Sequence, residues 1–488
     1  MADASAIPVQ KSELENTPVR DFTLRSAFAL AFSDVSPIVG IYSVFALGLA
    51  TAGPAFWWAF PIVLAGQLLV TGVFGDLVSK WPFQGSVYAW ARELGGRRYG
   101  WFTNWAYCWG FVITLAVVAL AAASFLAPAL GWNDLDQTHT DLLATAILVF
   151  GTITNMIGSR FLKGLLYVSI TCELLSSAGI GVAMLAHREH PLSILFDGMG
   201  TGHGGGWLIA PFLGVIAFVG YSFVGFESAG SIAEEVKEAR KVLPKAITLS
   251  LAAAGVLVMF AALGLVLSIP DLDAVLSGKD TNPIATTLET HLGSGWGRVF
   301  LAFLAIGFAA SMIAVQAAVS RALWASARAR ELPAARLLAR LSGRERLPRV
   351  TIGLTAVVAI VLMLILRDAN AYTLLLSAST AGIFLSYLLP VVAAAFYRLR
   401  GRWVPGPVSM GRWAGLVTFT AAVWITLDTI NIAWPRDAYG GNQLFNWSIV
   451  LAIVVLGALG FAISWFVFRP GSEASVTAID PVAVVPED

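Results

Sequence analysis

Charge is scarce in this chain: Asp, Glu, Lys and Arg together make up 12% of 488 residues. With 57% hydrophobic residues and a mean hydropathy of +0.76, that scarcity excludes soluble domains of this size and implies a polytopic membrane protein. An excess of basic charge is also lacking. The net charge is +1 and the cations sit in short clusters between apolar runs, so no phosphate-binding face is expected and nucleic acid is excluded as a partner. Only two cysteines occur, Cys108 and Cys172, both inside apolar runs, which suggests neither a disulfide framework nor a metal site. The five histidines, His139, His187, His190, His203 and His291, form no H-E-x-x-H, and no nucleophile motif appears, so an enzyme is not expected and no cofactor is implied. A channel would need rings of polar ligands along a continuous path, and one acid per span gives little sign of them. The N-terminal MADASAIPVQKSELENTPVR has no apolar h-region and reads as a tail, not a cleaved signal.

What the chain has in abundance is long apolar runs. A hydrocarbon core of about 30 Å needs roughly 20 apolar residues per helix, and by that ruler twelve spans are expected. They run approximately over 27–50, 57–79, 101–129, 142–159, 161–186, 208–232, 246–269, 298–326, 350–367, 371–397, 414–434 and 447–468. Lys and Arg concentrate on cytoplasmic loops. In the twelve-span arrangement 26 of the 31 cations fall on one side, and only Arg188, Lys279, Arg298, Arg367 and Arg436 fall on the other. Both termini are therefore expected in the cytoplasm, at 1–25 and 469–488, and the five histidines in extracellular loops.

Two spans are interrupted. The sixth carries Gly220, Gly225, Glu227 and Gly230 within AFVGYSFVGFESAGSIAEE; the first carries Pro37, which cannot donate a hydrogen bond, and Gly40 within FSDVSPIVGIYS. An unpaired backbone group in hydrocarbon costs several kcal/mol, so such breaks survive only when buried in protein or lining a cavity. Glycine and proline also permit kinks or close packing. The five-helix offset instead suggests inverted repeats over about 27–186 and 208–397, with discontinuous lead helices meeting at the midplane. Residues at the two breaks, Ser36, Val39, Gly40 and Ile41 with Ser222, Gly225 and Phe226, are the candidate substrate contacts. Freed amides there would hold an anion; freed carbonyls, Glu227 and the rings of Tyr221, Phe223 and Phe226 would attract an ammonium. Trp101, Trp105 and Trp109 share one face of the third span, where they serve packing and an interfacial belt or, for Trp109, the site.

GFESAGSIAEEVKEARKVLPKAI resembles the sixth-span signature of the amino acid, polyamine and organocation transporters, and WPFQGSVYAW resembles their P-x-x-G-x-x-Y-x-W element. SRALWASARARELP is similar to the close of their eighth span, and GPVSMGRWAGLVTFTAAVWITLDTINIAWP to the eleventh span of the amino acid/choline branch. The similarity covers roughly 25–468. It implies an all-α membrane fold of the LeuT type: a ten-helix core over 26–397 in two inverted repeats, two peripheral helices over 398–468, and alternating access. It implies that Tyr221 lids the substrate, that Glu227 is the acid beneath it, that Ser311 stands near a place that holds sodium in ion-coupled relatives, and that Cys108 and Phe111 line the cavity. The run PIVGI departs from the G-x-G of many family members, which weakens an α-carboxylate ligand and favours amines, choline-like cations or ω-amino acids.

Intramembrane acids cost about 2.5 to 3.5 kcal/mol on insertion scales unless they have a partner or a task. Glu173, in LLYVSITCELLSSAG, is the candidate for coupling: it would take up a proton, contribute to a cation site with Ser311, or be hydrogen-bonded within the bundle. Asp34, Asp76 and Asp428 are expected at interfaces or gates. Glu234 and Glu235 are expected to latch an inner gate by pairing with the basic residues of the 80–98 loop or Arg321, unless they form a solvated helix end. Together these readings imply uptake of an amino acid or small organic amine across the plasma membrane, such as the bacterial inner membrane, by a monomer or homodimer coupled to protons or sodium. An exchanger and a non-transporting sensor are the alternatives.

Overall fold

The computed structural model describes residues 21–132, 135–201, 204–280, 282–343, 346–366, 371–436 and 443–468. The two tails, apart from residues 21–25, and His203, Arg367 and Arg469 lie outside the described residues. Helices make up nearly all the regular structure. Among the described residues, strand-type pairing is limited to the isolated bridges Phe22–Val236 and Ser342–Leu347.

The first span is in pieces: α1 (Leu24–Val35), α2 (Pro37–Tyr42) and α3 (Phe45–Ala52). There follow α4 (Ala59–Lys80), α5 (Val87–Gly95), α6 (Arg97–Ala129), α7 (Gln137–Ile157) and α8 (Ser159–Ala186). The sixth span contains α9 (Leu213–Val219) and the single turn α10 (Ser228–Ser231). Next come α11 (Ala239–Ser268), α12 (Pro283–Arg328), α13 (Arg349–Ile365), α14 (Ala371–Leu399), α15 (Ala414–Ala433) and α16 (Ser448–Val467). Side-chain caps start several of them: Asp136 accepts from the His139 amide before α7, and Asn282 from the Ala285 amide before α12. The 46-residue α12 is two helices joined at Gly293, where φ is 73°.

Among the described residues eleven stretches are long and apolar enough to cross a membrane. The twelfth expected span corresponds to α13, which has 17 residues and falls short of the others, at the lower end of the roughly 17 to 25 residues a crossing uses. Burial separates an inner set from an outer one. The apolar stretch of α6 is 83% buried inside the bundle, that of α15 33% and that of α16 17%, so the last two are peripheral. Both ends of the described chain lie at one end of the bundle. The Asp21 and Phe22 amides donate to the Glu235 carbonyl at 3.0 and 2.9 Å. Arg97, which pairs with Glu331, also lies over the Phe468 ring at 5.5 Å.

The breaks fall where local chemistry forbids continuation. Ser36 adopts φ 44°, ψ 106°, a conformation that L-residues avoid and that costs on the order of 1–3 kcal/mol unless its surroundings impose it. Pro37 then supplies the first position of α2, where its missing N–H is no loss. In the sixth span α9 tightens into a 3-10 turn over Gly220–Phe223, Val224 is extended, and Gly225 takes φ +95° before the chain turns into α10. The two breaks touch. The Ser222 hydroxyl donates to the Gly40 carbonyl at 2.5 Å, and a Cβ at Gly40 would lie 2.9 Å from the Ser222 carbonyl oxygen and 3.2 Å from Val258. Gly40→Ala is therefore expected to lower stability by about 1–3 kcal/mol through overpacking, whereas Gly457→Ala in α16, with nothing within 4 Å of its added methyl, leaves it unchanged. Thermal unfolding of the two purified variants checks this.

Candidate functional site

The first break is built around a carboxylate from another helix. Glu173 of α8 is fully buried. One of its oxygens accepts from the Ser36 hydroxyl at 2.5 Å and the other from the Ile38 amide at 2.9 Å. Ser36 Oγ in turn accepts from the Val39 amide at 3.1 Å, and the Gly40 amide donates to the Ser36 carbonyl at 2.8 Å. Every amide in the first turn of α2 is thus occupied by the chain itself. This corrects the expectation of free amides at that half-helix: the positive end of α2 is present, but Glu173 fills it. Of the alternatives open for Glu173, the structure gives it hydrogen bonds within the bundle, and those bonds fasten α8 to the start of α2.

The second break is held by side chains in place of helical carbonyls. The Tyr387 hydroxyl of α14 accepts from the Gly225 amide at 2.9 Å and donates to a Glu227 carboxylate oxygen. The Ser86 hydroxyl donates to the Glu227 carbonyl at 2.9 Å. Backbone polarity released by unwinding is recovered by neighbouring helices, as an apolar surrounding requires. Phe226 packs on Phe74 and Tyr387, with ring centres 5.8 and 5.2 Å apart.

Between the breaks stands Asp34, the penultimate residue of α1. It is 5% exposed, and neither carboxylate oxygen has a hydrogen-bond partner. A Cβ on Gly225 would meet the Asp34 carboxyl carbon and one of its oxygens at 3.0 Å, so the carboxylate lies against the second break. Asp34 therefore lies inside the bundle and not at an interface, one residue before helix α1 ends. Asp76 behaves as expected of an interface, pairing with Arg398 at 2.5 Å and accepting from the Met410 amide. Asp428 is buried beside Asn431.

Other predicted site residues take these places. Tyr221 and Cys108 are buried at 2% and 6% exposure. The Tyr221 hydroxyl is unpaired and has Asp34, Thr114 and Tyr372 as neighbours. Phe111 packs against Tyr107 with tilted rings whose centres are 4.5 Å apart. Val39 and Ile41 are buried in α2. The Ser311 hydroxyl donates to the Asp34 carbonyl over a long 3.5 Å. The tryptophans of α6 are not brought to the breaks. The Trp101 indole donates to the Glu331 carbonyl and that of Trp105 to the Leu456 carbonyl, while Trp109 packs on Gly382. Packing is their role.

At the end that carries residues 22 and 468 a network of ion pairs ties the bundle together. Glu234 receives both terminal nitrogens of Arg328, at 3.2 and 3.0 Å, and Glu235 receives Arg321 Nε at 3.1 Å. Gln84 bridges them, its amide donating to Glu234 and its side chain to Glu235 at 3.0 Å. Glu235 thus meets Arg321 as expected, whereas the 80–98 loop contributes the uncharged Gln84 and its Arg92 and Arg97 pair with Glu331 instead. One acid there was missed in the sequence. Glu331 is fully buried, accepts from Arg97 at 3.0 Å and from the Tyr88 hydroxyl at 2.7 Å, and lies in a loop just past α12. Its signal was the pairing of two quoted motifs, since WPFQGSVYAW supplies Gln84, Ser86 and Tyr88, and SRALWASARARELP supplies Arg321, Arg328 and Glu331.

Comparison with known proteins agrees with this geometry. The family model described as amino acid permease matches residues 22–457. The chain is similar to the amino-acid permease BAT1 of Arabidopsis thaliana, with 23% identity over 92% of this chain and 91% of that protein. It is also similar to two proteins of Saccharomyces cerevisiae: a GABA-specific permease, 24% identical over 88% of this chain and 79% of that one, and a choline transporter, 22% identical over 93% and 82%. A match over most of its length, on an all-helical membrane scaffold, makes this chain a member of the amino acid permease family, a transporter and not an enzyme.

Proposed function

We propose that this protein is a secondary active transporter that carries an amino acid or small organic amine across the plasma membrane by alternating access. The observation that supports it best is the meeting of two broken helices at Ser222 and Gly40, with buried carboxylates on either side. A LeuT-type arrangement of twelve crossings accounts for both breaks. The shared location of the two chain ends supports counting α13 as a crossing, because a chain that begins and ends on one side crosses an even number of times. The excess of Lys and Arg at that end supports a cytoplasmic location for it. The ion pairs of Glu234 and Glu235 at that end support reading it as a closed inner gate.

Coupling is assigned to Glu173. Its two oxygens accept from Ser36 and Ile38, an arrangement suited to the ionised carboxylate. Gaining a proton turns one accepting oxygen into a hydroxyl that donates and accepts only weakly, so the bond to the Ile38 amide or to the Ser36 hydroxyl weakens or reverses. Protonation and the hold on α2 are thereby linked, which is what coupling a proton gradient to helix movement needs. Sodium near Ser311 and the Asp34 carbonyl is the competing ion, and the same assay separates the two.

The test is uptake of radiolabelled 4-aminobutyrate, choline and amino acids into proteoliposomes with imposed proton or sodium gradients. Saturable, counterflow-competent uptake supports the carrier; binding without flux rejects it. Glu173→Gln is expected to abolish gradient-driven accumulation and spare exchange, and unchanged accumulation removes the coupling role. For the gate, Arg321→Ala leaves Glu235 unpaired by that cation in a largely buried place, at 8% and 14% side-chain exposure for the two partners. In a Cys172→Ser background, the reaction of Cys108 with a maleimide applied from the cytoplasmic side is expected to quicken several-fold.

A further inference from the structure

The acids at the second break do something that the latch on α2 does not explain. Four oxygens converge there without hydrogen-bond partners: both carboxylate oxygens of Asp34, one of Glu227, and the hydroxyl of Tyr107. The Ser228 hydroxyl, beside Asp34, is likewise unpaired. Tyr107 and Glu227 are fully buried and Asp34 is 95% so. Tyr107 comes from α6, Asp34 from α1 and Glu227 from the sixth span, so three separate elements aim polar atoms at one place. The groups facing it are Asp34, Glu227, Tyr107, Tyr387, Tyr221 and, behind Tyr107, Cys108. Among the described residues no Lys or Arg lies within ion-pair distance of either carboxylate.

Two carboxylates side by side in an apolar interior repel, and of their lost hydration only the Tyr387 hydroxyl bond to Glu227 is returned. A single positive charge placed between them relieves both penalties and supplies the missing partner to four oxygens at once. Phe74, Phe226 and Tyr387, packed within 5.2–5.8 Å of one another beside Glu227, add ring faces of the kind that hold alkylated ammonium groups. The opposite pole of a zwitterion finds no such welcome. The amides of Ile38, Val39 and Gly40 are taken, and a ligand carboxylate brought to the start of α2 meets the Glu173 carboxylate.

Given that the protein is a carrier of amines or amino acids, we propose that Asp34, Glu227 and Tyr107 form the seat of the substrate's ammonium group, and that the substrate is an organic cation without a carboxylate. Asp34 and Tyr107 touch the ligand in this arrangement; Tyr387 positions Glu227. Glu173 is the specificity determinant that excludes the carboxylated analogue.

The experiment is calorimetric binding to the purified full chain with matched probes: choline against glycine betaine, and 4-aminobutan-1-ol against 4-aminobutyrate, each in sodium and in potassium chloride at equal ionic strength. The carboxylate-free member of each pair is expected to bind at least ten-fold tighter. Asp34→Asn is expected to weaken it ten-fold or more and Tyr107→Phe several-fold, with unchanged elution on gel filtration. Should Asp34→Asn fail to fold, the milder Tyr107→Phe decides the matter. Equal or tighter binding of the carboxylated members, no binding of any probe, or affinities that Tyr107→Phe leaves unaltered overturn the proposal. Heat evolved with sodium alone and not with the amines assigns the seat to an inorganic cation and likewise overturns it. None of these outcomes bears on the counterflow test, which stands or falls on flux of any amine or amino acid.

Discussion

The fastening of Glu173 to the start of α2 is the interaction on which the centre of this molecule depends. A helix interrupted inside a bilayer leaves amides that water cannot reach, and the chain answers with a carboxylate 135 residues away in sequence from the amide it accepts. One side chain thereby satisfies the backbone, neutralises the positive end of a half-helix and ties α8 to the first span. Ser36 completes the arrangement by donating to Glu173 and accepting from Val39 with the same oxygen. The strained backbone at Ser36 is held because these partners surround it.

The second break follows the same rule with different chemistry. Tyr387 and Ser86 stand in for helical carbonyls and amides around Gly225 and Glu227, and Ser222 reaches across to Gly40. Each of these bonds joins helices that are far apart in sequence, so a movement of one broken helix is felt by the other. The closure at the end carrying both chain ends is continuous with this core. Ser86, Gln84 and Tyr88 belong to one short segment that touches Glu227, then Glu234 and Glu235, then Glu331. The breaks and the ion-pair network at that end therefore share one backbone segment, residues 84–88.

Much of the architecture was legible in the residues. Long apolar runs mark the helices, Pro37 and Gly225 mark the breaks, and a lone glutamate in the apolar run of α8 marks a buried acid. The misreadings share one cause. An interface or gate is the expectation for Asp34 because its distance along α1 is readable but the direction it faces is not. The tryptophans of α6 were legible as one stripe, yet whether that stripe looks at the breaks or at α14 and α16 depends on how α6 is rotated. Glu331 follows the helix that would draw attention to it and lies in a loop, where an acid ordinarily meets water.

By itself the sequence determined that this chain lives in a bilayer, which helices must break, and which ionisable groups are taken out of water, because hydropathy, proline and glycine act locally along the chain. Only the tertiary structure decided which groups meet. That Glu173 seals α2 while Asp34 stays open beside Glu227 depends on the rotation and packing of helices about one another. Those are set by the summed fit of many side chains, and no short stretch of sequence contains them.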